Sequence, residues 1–151
     1  GATAREAEVR AIVEQLTPAL LSLLLGGEVE VDDPGRALFR PSVPLAEEVV
    51  LSLGRTQEPL AIELVLSVLR GGARELRAHA ALALGMCAQP AVAKELLALL
   101  LDPDPFVRFC ASESLRHLLG KELPVDWMYA PAAERTAAAE EFQRWYVSER
   151  R

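Results

Sequence analysis

Residues 59–89 of this chain read PLAIELVLSVLRGGARELRAHAALALGMCAQ, and residues 90–120 read PAVAKELLALLLDPDPFVRFCASESLRHLLG. The two stretches follow one pattern with a period of 31 residues. A helix-patterned repeat of this length is the sequence signature of an α-solenoid, in which each unit packs against the next. The identical residues that set the period are Pro59 and Pro90, Arg77 and Arg108, Ala80 and Ala111, and Leu84 and Leu115.

Each stretch contains two predicted helices joined by a short turn. A proline opens each first helix, at a position where its missing N–H costs nothing. The period extends one unit further back, because Leu53-Gly54 lies 31 residues before Leu84-Gly85. We therefore expect first helices at 59–70 and 90–101, and second helices at 45–54, 74–87 and 106–119.

The N-terminal part predicts a helix followed by a long connection. Apolar residues recur at three- and four-residue spacings over residues 4–25, which indicates one amphipathic helix kinked at Pro18. Residues 26–44 break this pattern with the turn sequence Asp33-Pro34-Gly35, and they form either a small hairpin or an irregular loop. A connection of this length either binds a partner or covers neighbouring core residues.

The C-terminal part, residues 121–151, leaves the repeat and gathers most of the aromatic residues. A solenoid ends in an apolar face that an atypical terminal element must cover. We therefore expect an aromatic cap ending in a helix over residues 132–150, and one folded unit over residues 1–151. The aromatic residues expected in the cap are Trp127, Tyr129, Phe142, Trp145 and Tyr146.

Composition narrows the class of protein and of partner. Of the 151 residues, 51% are hydrophobic but only 5% aromatic, which favours close-packed helices. The formal charge of −6 disfavours a nucleic-acid binder that tracks phosphates. The most apolar run, residues 16–25, is too short to span a bilayer, so no membrane insertion is expected. Cys87 and Cys110 have no CxxC partner and suit buried thiols in a reducing, cytoplasmic compartment.

At residues 102–108, DPDPFVR, followed by Ala111 and Leu115, the sequence resembles the HEAT-repeat family, specifically the short HEAT-like repeats also found in phycobilin lyases. Residues 76–85 carry a second copy of the pattern, and the matching units cover about residues 45–120. The tail after Gly120 is similar to the one that follows the last repeat in many bacterial HEAT-repeat proteins. The resemblance implies an all-α, right-handed α-solenoid of antiparallel helical hairpins with a C-terminal capping helix, in a protein of bacterial origin.

In that family, an arginine at the positions of Arg77 and Arg108 typically reaches an aspartate near the inter-helix turn. Arg108 has Asp102 or Asp104 available. Arg77 has only Gly71 and Ala73 at the equivalent places, so its partner must come from a neighbouring repeat. The resemblance thus implies structural rather than catalytic arginines.

Catalytic and metal-binding patterns are sparse. Glu113 and His117 share a helix face at four-residue spacing, but a zinc site needs three or four ligands, so we expect a surface ion pair. HEAT-like deoxyhypusine hydroxylases carry His-Glu dipeptides, and none occurs here. HEAT-like DNA glycosylases use a basic groove, which this acidic chain lacks. We expect no enzyme activity, no metal and no cofactor.

In HEAT arrays the second helices line the concave side, and residues one period apart form stripes across it. The resemblance implies that this face binds a helix or extended peptide of another protein. Alternatives are that residues 28–44 cover the face, that it holds a hydrophobic small molecule, or that the chain is a fragment of a longer solenoid. The candidate binding residues are Glu47, Leu51, Ala78, His79, Leu82, Phe109, Glu113 and His117, edged by Glu48 and Arg55.

Overall fold

The computed structural model describes residues 29–30, 38–39 and 43–150, together with Ala4, Ala7, Glu8 and Ala11, and describes side chains in the main range from Ala46 onward. The four N-terminal residues are helical. The rest of the helix expected at 4–25, including its kink, lies outside the described residues.

Two short strands lie in the connection for which the sequence left a hairpin or a loop open. Strands β1 (Val29–Glu30) and β2 (Leu38–Phe39) pair antiparallel, with Val29 opposite Phe39. The pairing has the form of a small hairpin. Whether residues 28–44 cover the second helices falls outside the described part of the chain.

The remaining described elements are helices. Their bounds lie within two residues of those expected, except in the first helix of the last repeat. There a 3₁₀ turn, Pro90–Val92, precedes a shorter α-helix, because Val92 N–H bonds to the Gln89 carbonyl and Ala93 N–H to that of Pro90. The helices are α1 (Val43–Arg55), α2 (Pro59–Gly71), α3 (Arg74–Met86), α4 (Ala93–Leu99), α5 (Pro105–Leu119) and α6 (Ala132–Glu149).

The turn before α5 shows how the sequence sets a helix boundary. The Asp104 carboxylate accepts hydrogen bonds from the N–H groups of Phe106 and Val107 at 2.8 and 3.1 Å, which satisfies two free donors of the first turn. Pro105 follows at the first helical position. Gly120 ends the helix in the left-handed region, with φ of 66°.

The second helices α1, α3 and α5 pack side by side, and the first helices α2 and α4 pack against them around one apolar core. Helix α3 lies between α1 and α5, and α2 and α4 pack against α3 and α5 respectively. The second helices approach very closely: a Cβ on Gly54 would lie 2.5 Å from the Ala83 carbonyl oxygen, and one on Gly85 would lie 2.5 Å from the Ser114 Oγ. Large side chains that fill the core include Val50, Val65, Val68, Leu84, Leu96, Leu100, Val107, Leu115 and Phe142.

The two repeat arginines have different partners. Arg77 donates to the carboxylate of Asp102 in the next repeat, so a neighbouring unit supplies its partner, as the sequence indicates. The prediction that Arg108 pairs with an aspartate carboxylate is wrong. Asp102 is already engaged by Arg77, and the carboxylate of Asp104 caps α5 and contacts Arg74.

Arg108 instead donates to four backbone carbonyls. Its Nε bonds to the Trp127 oxygen at 2.6 Å and its Nη2 to the Met128 oxygen at 2.8 Å. Its Nη1 bonds to the oxygens of Asp102 and Pro103 at 2.8 and 3.1 Å. Burial lowers the pKa of Arg108, an effect that Arg135 reinforces and the two aspartates oppose. The arginine thereby ties the last repeat to the C-terminal aromatic segment.

Candidate functional site

The outer sides of the three second helices form a continuous candidate surface, because α3 packs against both α1 and α5. On this surface Leu51 and Leu82 are half-buried and Phe109 is exposed. Glu47 and Glu113 are half-buried beside them. We call this surface, comprising Glu47, Leu51, His79, Leu82, Phe109, Glu113 and His117, the second-helix face.

The prediction that Ala78 faces outward is wrong, because its side chain is 0% exposed. Helix α3 has a second helix on each side, so position 78 lies in the core. Its equivalent one period later, Phe109, is 41% exposed, because among the described helices α5 has a second helix on one side only. The prediction that Cys87 and Cys110 are buried thiols is confirmed.

His79 joins two helices of the face. Its Nδ1 lies 2.8 Å from the Glu75 carbonyl oxygen, to which it donates, and its Nε2 lies 3.6 Å from a carboxylate oxygen of Glu47 in α1. This contact was not predicted from the sequence. The available signal was that Glu47 precedes His79 by one repeat period plus one residue.

The expected ion pair between Glu113 and His117 is wrong. The Glu113 carboxylate accepts from Arg116 Nη2 at 2.7 Å, and this bond raises the pKa of Arg116. An arginine three residues along the same helix face reaches the carboxylate with its planar guanidinium. His117 is exposed at the end of α5.

A cavity of about 150 Å³ lies where α5 meets the connection to α6 and α6 itself. We call it the cap pocket. The sequence reasoning did not find it, because its walls come from three separate segments, although the aromatic residues of the expected cap supply part of its floor. Its apolar walls are Phe109, Leu123, Val125, Trp127 and Phe142, and its polar rim is Ser112, Glu113, Arg116, Lys121, Glu122 and Asp126.

Cys110 lies in the core, 1% exposed. Burial, followed by the charges of Asp104 and Glu113, raises the pKa of the Cys110 thiol to about 11, so this thiol is a poor nucleophile. Within the described ranges, no three His, Cys, Asp or Glu side chains come together as a metal-binding group. Among the helices that the structure describes, none is long and apolar enough to cross a bilayer.

Comparison with known proteins defines the family. No curated protein matches the chain. The family model for HEAT repeats matches residues 62–140, just over half of the sequence. The matched region begins in α2 and ends within α6. It includes Arg77, Arg108 and all the residues that line the cap pocket except Phe142. This chain therefore belongs to the HEAT-repeat family.

Proposed function

We propose that this protein is a non-catalytic interaction module that binds a helix or extended peptide of another protein on the second-helix face. HEAT repeats commonly mediate protein–protein interactions. The observation that carries the proposal is Phe109, a large apolar side chain that is 41% exposed at the mouth of the cap pocket. Exposed aromatic side chains beside a pocket are typical anchors of protein interfaces.

The apolar side chains of the face are spaced for a short partner segment. Leu51 and Leu82 occupy equivalent positions on α1 and α3, and Phe109 lies on α5. Packed helices are about 8–10 Å apart, so this row spans about 16–20 Å. A helix of about 12 residues covers that distance, with anchors on one face at three- and four-residue spacings.

A hydrophobic small ligand in the same surface is the second candidate. The cap pocket holds about 150 Å³, whereas pockets for drug-sized ligands usually hold about 300–1,000 Å³. The volume therefore favours a single side chain of a partner. A stoichiometric small molecule in the native mass spectrum of the purified protein would favour the ligand alternative instead.

The finer architecture belongs to the same proposal. We infer that the helix pairs are antiparallel hairpins of a right-handed solenoid with short HEAT-like repeats of the kind also found in phycobilin lyases. The 31-residue period supports this inference. The two free buried thiols support a cytoplasmic adaptor or scaffold, and the charge of −6 supports proteins rather than nucleic acids as its partners. The resemblance of the tail after Gly120 to that of many bacterial HEAT-repeat proteins supports a bacterial origin.

Charge placed on the face tests the proposal. The double variant Leu82→Asp and Phe109→Asp should lose capture of the partner from host lysate while its circular dichroism spectrum stays helical. Ala98→Asp is the control, because Ala98 is exposed on the first helix α4, away from the face. Equal capture by both variants and the unmodified protein would rule out this face as the binding surface.

A further inference from the structure

The cap pocket has a rigid frame. The Asp126 carboxylate accepts from the N–H groups of Met128 and Tyr129 at 2.9 and 3.1 Å, which fixes the turn that carries Trp127. Arg108 donates hydrogen bonds to the carbonyl oxygens of Trp127 and Met128 in the same turn. A frame held at both ends keeps the cavity open before a partner arrives, and such preorganisation lowers the cost of binding.

The floor of the pocket is apolar. Leu123, Trp127 and Phe142 are each less than a tenth exposed, and they line the cavity. The Ser112 hydroxyl already donates to the Phe109 carbonyl at 2.8 Å, so a ligand does not have to supply a hydrogen-bond acceptor for it. Five of the 11 lining residues are apolar, and the cavity volume of about 150 Å³ is large enough for a group the size of benzene. One phenylalanine or leucine side chain fits these dimensions.

The charge around the pocket is acidic. Of the two cations at its rim, Arg116 is bonded to Glu113, and the Lys121 ammonium lies 5.4 Å from the Trp145 ring centroid. Glu122 and Asp126 are exposed at the same rim. Across the second-helix face and the rim, the four carboxylates of Glu47, Glu113, Glu122 and Asp126 outnumber the two cations of Arg116 and Lys121.

We propose that the cap pocket binds one phenylalanine- or leucine-sized side chain of a basic amphipathic helix, whose Lys and Arg residues face the surrounding carboxylates. This inference rests on the proposed function of the second-helix face and adds the chemical class of the partner. Complementary charge steers and orients such a helix, and burial of the apolar anchor supplies most of the affinity.

Three labelled 16-residue helical peptides test the inference by fluorescence anisotropy. The first combines Lys and Ala with one central Phe as its only large apolar residue, the second replaces that Phe with Ala, and the third replaces every Lys with Glu. The Phe peptide should bind about 10-fold more tightly than the Ala peptide, as expected for burial of one large apolar side chain. Its binding should weaken with added salt, and the Glu peptide should not bind.

Pocket-filling variants locate the anchor. Ser112→Phe should lower affinity for the Phe peptide to that of the Ala peptide, and Val125→Trp provides a second variant with the same expected effect. Ser148→Phe, at an exposed position near the end of α6, is the matched control and should leave binding unchanged. Circular dichroism establishes that each variant is folded.

Equal affinity for the Phe and Ala peptides, binding of the Glu peptide, or no effect of the pocket-filling variants would each overturn the inference. These failures are distinct from failure of the proposed function. Leu82 does not line the cap pocket. Loss of binding in Leu82→Asp without any effect of Ser112→Phe would retain the face and reject the anchor pocket.

Discussion

Arg77 in α3 donates to the carboxylate of Asp102, which lies 25 residues further along in the turn before α5. One period later, Arg108 bonds instead to the carbonyls of Trp127 and Met128. The C-terminal segment thus supplies the acceptors at the position where another repeat would supply an aspartate. This exchange of partner explains how the last repeat is joined to a segment of unrelated sequence.

The contact between Arg77 and Asp102 should be energetically coupled. Asp102 is almost fully buried and also accepts from Asp104 N–H, so Asp102→Ala should lower the free energy of unfolding by about 3 kcal/mol. Arg77→Met leaves the buried Asp102 carboxylate without its cation, so it should also cost about 3 kcal/mol. Urea unfolding of both variants and the double variant measures the coupling. Strict additivity of the two effects would show that the pair does not join the repeats.

Arg108 should be far more sensitive than a surface arginine. Arg108→Lys keeps the charge but cannot reach four carbonyls in a fixed geometry, so it should destabilise the protein by about 3 kcal/mol and shift the fluorescence of Trp127 towards the red. Arg116→Lys is the control and should leave stability essentially unchanged, because Arg116 is exposed. Similar losses for the two variants would contradict a fastening role for Arg108.

Replacement of Gly85 by alanine should destabilise the protein, although alanine usually stabilises a helix. Gly→Ala in a helix interior normally stabilises by about 1 kcal/mol. Here the new Cβ would lie 2.5 Å from the Ser114 Oγ, so Gly85→Ala should destabilise by about 1–3 kcal/mol. Adding Ser114→Gly should restore part of the lost stability, because it removes the Ser114 Oγ and the Ser114 Cβ, which would lie 2.5 and 2.7 Å from the new Cβ. A higher unfolding temperature for Gly85→Ala would show that α3 and α5 do not approach each other this closely.

The Cys110 thiol should be inert in the folded protein. Raising its pKa from 9.0 to about 11 lowers the thiolate fraction at pH 8 about 100-fold, so iodoacetamide should react far more slowly than with the urea-unfolded chain. Its contribution to stability is complete below about pH 9 and falls as pH rises towards 11, because the unfolded thiol ionises first. The Cys110→Ala variant should therefore lose less stability between about pH 9 and pH 11 than the unmodified protein. Rapid alkylation of the native protein at Cys110 would contradict this account.

The helix bounds of the repeats were predictable because they depend on local chemistry repeated in register. Prolines, Asp104 and Gly120 act within one turn of their own position, so sequence alone places α2, α3 and α5 closely. The shortened α4 was not predicted, because Pro90 begins a 3₁₀ turn rather than the α-helix itself.

The side-chain environment of the site was less predictable, because it depends on which helices have neighbours. The same repeat position is buried at Ala78 in the middle helix and exposed at Phe109 in the last one. The partner of Arg77 followed from the absence of a local aspartate. The partners of Arg108 are backbone carbonyls, which any residue type provides and no sequence pattern marks.

Site-specific photo-crosslinking tests the central claim most directly. A benzophenone side chain introduced at position 82, on the second-helix face, should crosslink a partner protein in host lysate, and the same group at exposed position 98 on α4 should not. Free Phe-bearing basic peptide should compete away the adduct at position 82, whereas its Ala counterpart should compete about 10-fold less well. Crosslinking of the partner from position 98 but not from position 82 would contradict the account.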